Sequence, residues 1–211
     1  MAFAVSAGAG ADAKRVRAIT TPLSVFECVA NVTATSDVKI AGNFKIITSP
    51  VSTTSIEKTG IVLFLAEVLG IVLREPMPDA QLFDTLSDSI EKLCTRDSNT
   101  VANYHIAFLL LVARELGIEP DWSTVSSEGA FDFFNGVWGG THQADGRFRY
   151  AAPEESQVLA SLKGITIDNC MEYRLKRTER NMALDVILKY FSMQGFKTDN
   201  LSSLKILREI Y

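Results

Sequence analysis

Residues 61–73 read IVLFLAEVLGIVL, the most apolar run in the chain, interrupted by a single charge at Glu67. Spanning a bilayer takes about 20 apolar residues. A shorter run with a carboxylate at its centre therefore reads as a helix buried in a protein core. Its flanks set its length: a helix from about Ser55 to Arg74 stops ahead of Pro76, whose ring disfavours helical backbone just before it. On the N-terminal side of this helix, near residue 54, the periodicity changes, and that change divides the chain.

Before residue 54 the pattern is that of strands. In DVKIAGNFKIIT (37–48), Val38, Ile40, Phe44 and Ile46 share one parity while Lys39, Asn43 and Lys45 share the other. That is period-two alternation, apolar inward and polar outward. PLSVFECVANV (22–32) is β-branched and aromatic and starts at a proline, and Met1–Val5 makes a third strand.

After residue 54 the pattern is helical. A second helix starts near Asp79 and repeats Leu82, Phe83, Leu86, Ile90 and Leu93. A third, capped by Ser98 or Asn99, runs to Gly117 with Pro120 just beyond. Residues 121–150 interrupt the helices. Asn135-Gly136 between aromatic flanks signals a hairpin, and GRFRY (146–150) adds a short strand. Helices resume at about 153–162, 178–194 and 202–210. The fold class is α+β: a β module at 1–53, then a mainly helical domain at 54–211 with an inserted β-hairpin.

Bulk properties narrow the function. At 47% hydrophobic and 22% charged residues, the chain has the composition of a folded globular protein, not a disordered one. The net charge of -4 is unevenly spread. Residues 1–53 carry +2, residues 54–171 carry -9 and residues 172–211 carry +3. A polyanion would meet the two ends and be repelled by the middle. Cys28, Cys94 and Cys170 form no CxxC and read as buried, reduced thiols of a cytoplasmic protein. The opening AFAVSAGAGADA is not read as a secretory signal, because its cations follow the apolar run instead of preceding it.

Catalytic motifs are missing: there is no P-loop, GxGxxG or GxSxG. His105 sits inside an apolar helix and reads as a core residue, and His142 lies in a Gly-rich loop. Neither has partners at metal-ligand spacing. The expectation is a protein with no catalytic residues, no metal and no cofactor.

Cations remain as the informative feature. Lys14, Arg15 and Arg17 crowd a loop between strands, and Lys39 and Lys45 project from the outer side of the third strand. Such clusters attract nucleic-acid phosphates; they also serve simply to solubilise a sheet edge. Arg147-Phe148-Arg149-Tyr150 interleaves cations with aromatics, which suits base stacking or an ordinary exposed strand. Arg174-Leu175-Lys176-Arg177 with Arg180 opens a helix, where cations oppose the macrodipole, and reads either as a phosphate contact or as a solvated end.

Several stretches, in order along the chain, resemble the bacterial recombination mediator family RecO, in forms like those of the Bacteroidetes. They are PLSVFECVANV, IVLFLAEVLGIVLREPMPDAQLFDTL, ANYHIAFLLLVARELGIEPD and the closing RTERNMALDVILKYFSMQGFKTDNLSSLKILREIY. The resemblance implies an N-terminal OB-fold and a helical domain, and no enzyme activity. It implies binding and annealing of single-stranded DNA, and docking of RecR and of the acidic tail of single-strand-binding protein to load RecA. Ala13-Lys14-Arg15-Val16-Arg17 resembles the family's basic DNA-facing loop. A cytoplasmic, nucleoid-associated protein with no membrane attachment follows.

Two departures carry their own expectations. Many members hold zinc on four cysteines after the LG-x-x-P helix, whereas residues 121–150 contain none, so no bound zinc is expected. An OB barrel needs five strands, and residues 1–53 supply three. A partial OB-fold lacking its first strands, in a truncated form or one with a misplaced start, would expose backbone edges. A disordered N-terminus or a homodimer through those edges is the expected result. The alternative function is a helical protein-interaction module without nucleic-acid binding.

Overall fold

The apolar run of 61–73 lies in helix α1 (Ile56–Val72), and its position organises the rest. The computed structural model describes residues 2–4, 20–30, 38–50, 55–73, 79–140 and 149–211. Ile61, Val62, Phe64, Leu65 and Val68 are all buried, so most of the circumference of α1 lies in the core, while Ile56, Thr59 and Gly70 reach solvent. Ser55 caps its start, accepting from the Lys58 amide at 3.4 Å. Lys58 is itself buried and donates at 2.9 Å to the Cys94 carbonyl, near the end of the next helix, where a cation meets the negative pole of the dipole.

Helix α2 (Ala80–Thr95) starts at Asp79, whose Oδ1 accepts from the Leu82 amide at 2.9 Å. It buries only Leu86, Ser89, Ile90 and Leu93, one stripe of its surface. Helix α3 (Tyr104–Glu115) begins later than the sequence signals. Ser98–Thr100 form a 3₁₀ turn, and Asn103, at the head of α3, sends its amide to the Cys170 and Tyr173 carbonyls instead of to the helix. Gly117, at φ 72°, closes α3 as expected. Helices α4 (Pro153–Ser161), α5 (Arg177–Met193) and α6 (Ser202–Ile210) complete the helical part, with α6 lying along α1. A Cβ on Gly60 would stand 2.6 Å from Ile210 Cδ1, so the glycine lets these two helices approach closely.

Strands β1 (Ala2–Ala4), β2 (Val25–Ala30) and β3 (Val38–Thr48) form one sheet of order β1-β3-β2. β1 runs parallel to β3 and β2 antiparallel to it. The strict alternation expected of β3 fails. The register slips between Glu27↔Lys45 and Val29↔Gly42, and Asn43 takes a left-handed φ of 54°, the mark of a bulge. A bulge exchanges the two faces. Ala41 is buried ahead of it, Phe44 turns to meet Phe26 edge-on at 5.6 Å beyond it, and Ile46 is left 38% exposed.

The hairpin is present as β4 (Ala130–Asp132) and β5 (Val137–Gly140). Its connection is the four residues 133–136 and not the Asn135-Gly136 dipeptide alone. Gly136 has φ 69° and a Cβ there would lie 2.5 Å from Tyr190 Oη, so both backbone and space require glycine. In place of a third strand, Tyr150 forms an isolated antiparallel bridge with Asp132, with Phe133 N bonding Arg149 O and Ala151 N bonding Phe131 O, each at 2.8 Å.

Candidate nucleic-acid interface and docking groove

Of the five cations assigned to nucleic acid from sequence, Lys14, Arg15 and Arg17 lie outside the described residues. Lys39 sits on β3 opposite Phe3, its side chain outside the description. Lys45 points to solvent with 74% of its side chain exposed, and pairs at 3.3 Å with the equally open Glu27 across the strands. Such an exposed pair contributes little to stability and leaves Lys45 available to another anion.

The RFRY motif resolves differently. Arg147 and Phe148 are outside the description, whereas Arg149 is committed. Its Nε and Nη2 donate to Asp132 Oδ2 at 3.0 and 2.7 Å, and its guanidinium lies 5.3 Å from the Tyr150 ring. Burial alone would raise the Asp132 carboxyl, but hydrogen bonds from Arg149, the Phe134 amide and Asn135 outweigh it and hold it below the ordinary range. Beside this pair Phe131, Trp138 and Tyr190 meet ring to ring, at 4.7 and 5.3 Å from Phe131. The motif thus braces the hairpin. Residues 121–150 contain no cysteine, and among the described residues no three His, Cys, Asp or Glu side chains converge.

Arg180, grouped in sequence with the basic run before α5, is also internal. It donates at 2.9 Å to Asn103 Oδ1 and at 3.0 Å to the Leu175 carbonyl. His105 is fully buried between Phe64 and Tyr211, and burial together with Arg180 pushes its pKa down to about 3. The apolar helix implied a core histidine and not a base; the ring is fully buried, and its Nδ1 has no hydrogen-bond partner among the described residues. His142 is outside the description. Of the cysteines, Cys170 is buried, Cys94 is half-buried and Cys28 is exposed on β2, against the expectation of three buried thiols.

A groove of about 610 Å³ opens between α2, α3 and residues 162–168, and nothing in the sequence pattern announced it. Leu110, Leu111 and Ile165 line its apolar part, and Lys92, Arg114 and Lys163 stand around it together with Asp88, Glu119 and Asp168. Lys92 is paired with Asp168 at 2.7 Å and Arg114 with Glu115 at 3.1 Å. Its walls come from segments some 80 residues apart in sequence, Thr85 to Asp168, which is why periodicity within one helix cannot reveal it.

The family described as recombination protein O, C terminal, matches residues 53–201, well over half of the chain. The chain belongs to the RecO family. Similar proteins include DNA repair protein RecO of Porphyromonas gingivalis, 36% identical over 144 residues, covering 64% of this chain and 54% of that protein. The RecO of Bacteroides fragilis is 30% identical over 154 residues, covering 73% and 63%. That of Christiangramia forsetii is 28% identical over 179 residues, covering 83% and 69%. The chain thus spans little more than half the length of the Porphyromonas RecO. No solved structure gives a significant match. The RecO match takes in α1 to α5 and ends at Leu201, just ahead of α6, so the apolar run, the hairpin and the groove all lie inside it. Among the described residues no helix is long and apolar enough to cross a membrane.

Proposed function

We propose that this chain serves DNA repair as a recombination mediator, holding single-stranded DNA on its sheet side and docking proteins on its helical domain, without catalysis. The observation that carries the reading is the RecO match over residues 53–201, directly behind a three-stranded sheet. A parallel pairing of the first and third strands, with the second on the other side of the third, suits part of a Greek-key OB barrel. Among the described residues β2 bonds only to β3. Among the described residues its other edge has no strand beside it, and a further strand there would either extend the barrel or pair with a second copy. Lys14, Arg15, Arg17, Lys39 and Lys45 belong to this module and meet the phosphates.

The groove between α2 and α3 takes the acidic tail of single-strand-binding protein. Its apolar part accommodates the tail's apolar end, and Lys163, joined by Arg114 and Lys92 once they leave Glu115 and Asp168, meets its carboxylates. RecR docking and RecA loading follow as further steps of the same role, in the cytoplasm at the nucleoid. Titration calorimetry with the acidic tail peptide tests the groove. R114E with K163E should weaken binding at least tenfold, and unchanged binding would remove the assignment.

The -9 charge of residues 54–171 favours one alternative, a helical interaction module with no nucleic-acid role. Retained tail binding with no single-strand binding at low salt would decide for that alternative.

A further inference from the structure

We propose that the entry to α5 and the adjoining face of α6 bind the sugar–phosphate backbone of nucleic acid, as a second contact apart from the sheet. The inference rests on the DNA-binding reading above and extends it to a part of the helical domain.

The primary observation is a set of exposed cations without carboxylate partners among the described residues, drawn from separate stretches of chain, of which Arg177 also donates from Nη2 to the Arg208 carbonyl. Arg174, Lys176 and Arg177 are exposed at the start of α5, and Lys205 is exposed on α6. Among the described residues, none of the four has a carboxylate partner. Arg177, Lys205 and Arg208 line an open groove of about 400 Å³ together with Leu201, Leu204 and Glu209. Arg208 gives one guanidinium arm to Asp185, while its Nε is buried without a hydrogen-bond partner among the described residues.

Nearby carboxylates are mostly occupied. Glu179 turns back to accept from the Lys176 amide at 2.7 Å, and Asp185 holds Arg208. Only Glu209 faces the groove with no such duty. The surplus of cations therefore stays unneutralised within the protein, unlike Lys92, Arg114 and Arg149, each of which has a carboxylate.

Charge complementarity selects the occupant. Phosphodiester oxygens accept charge-assisted hydrogen bonds from arginine and lysine, and binding them releases condensed counterions. No aromatic side chain lines the groove, so it offers no platform for stacked bases. Contact is thus confined to the backbone and is indifferent to base sequence and to strandedness. The sheet module and this ridge together give the two positively charged ends of the chain a common ligand.

The test uses the intact chain carrying R174A, K176A and K205A, three exposed side chains without an ion pair. Its thermal unfolding should match wild type. Anisotropy of a fluorescein-labelled oligothymidine and of a labelled duplex is followed across a potassium chloride series. Losing three phosphate contacts should lower the log–log salt slope for the single strand by about 2, with duplex affinity falling in parallel. A companion K14A/R15A/R17A variant separates the sites. If wild type binds and only the companion loses slope, the ridge is overturned and the DNA-binding reading stands. If wild type binds neither probe, both fall. A ridge variant that keeps DNA affinity but loses affinity for a polyglutamate peptide overturns the proposal in favour of an acidic protein partner.

Discussion

Glu67, the one charge in the apolar 61–73 run, accepts hydrogen bonds from the Ser203 amide at 2.8 Å and the Ser202 amide at 2.9 Å, and another from the Ser203 hydroxyl. It is a capping group supplied from a distance: a side chain of α1 satisfies the orphan amides that open α6. Burial alone would raise its pKa, but the hydrogen bonds from Ser203 and Ser202 outweigh it and hold the carboxyl below its ordinary value.

Replacing Glu67 by Gln keeps the shape and removes the charge that meets the amides. Loss of such a cap costs about 1 kcal/mol, read as a lower urea midpoint at neutral pH. Because the folded-state pKa is depressed, the stabilisation is full above the unfolded pKa and fades as pH falls through the folded one. The gap between wild type and E67Q should therefore narrow on acidification. A gap that persists at low pH would show that Glu67 acts by packing alone.

His105 gives a second acid dependence, from a different cause. Held neutral in the core with a pKa of about 3, it leaves the unfolded chain binding the extra proton below its ordinary value of 6.5. Stability attributable to this residue falls by about 1.4 kcal/mol per pH unit as pH drops from roughly 6.5 toward 3. H105F keeps the ring contacts with Phe64 and Tyr211 and should flatten that stretch of the stability–pH curve. Equal slopes in both proteins would contradict the neutral assignment.

The hairpin offers a third test. Asp132 is 5% exposed and holds Arg149 at two contacts. Because Arg149 is half open to water, D132N should cost roughly 1 to 3 kcal/mol, nearer a broken charged hydrogen bond than a fully buried pair. A double-mutant cycle with R149M isolates the coupling, and a coupling near zero would mean that the aromatic cluster alone holds the hairpin.

Glycine at 136 is required twice over, by its backbone and by Tyr190. G136A should destabilise by roughly 1 to 3 kcal/mol, and Y190F, which removes the facing hydroxyl, should recover part of the loss. Thermal unfolding of the two variants and their combination measures both.

Local signals were readable where local physics decides. Asp79 announces α2, Ser202–Ile210 forms where expected, and the apolar 61–73 run is buried. The misses are tertiary. Asn103 abandons the head of α3 for the carbonyls of Cys170 and Tyr173, so the α-helix starts several residues late. The Asn43 bulge turns over the face of β3, which a period-two count cannot anticipate. Arg149 and Arg180 are committed to partners within the fold, Asp132 and Asn103, although their sequence context resembled that of Lys176 and Arg177, which have no carboxylate partner among the described residues. The role of Glu67 depends on a partner 136 residues away.

The most direct measurement of the central claim is the salt dependence of oligothymidine binding by the wild-type chain. Tight binding at low salt, with the dissociation constant rising linearly on a log–log plot and the slope falling in K14A/R15A/R17A, is the expected result. Affinity that does not respond to salt, or no complex even at the lowest ionic strength, would contradict an electrostatic grip on the DNA backbone.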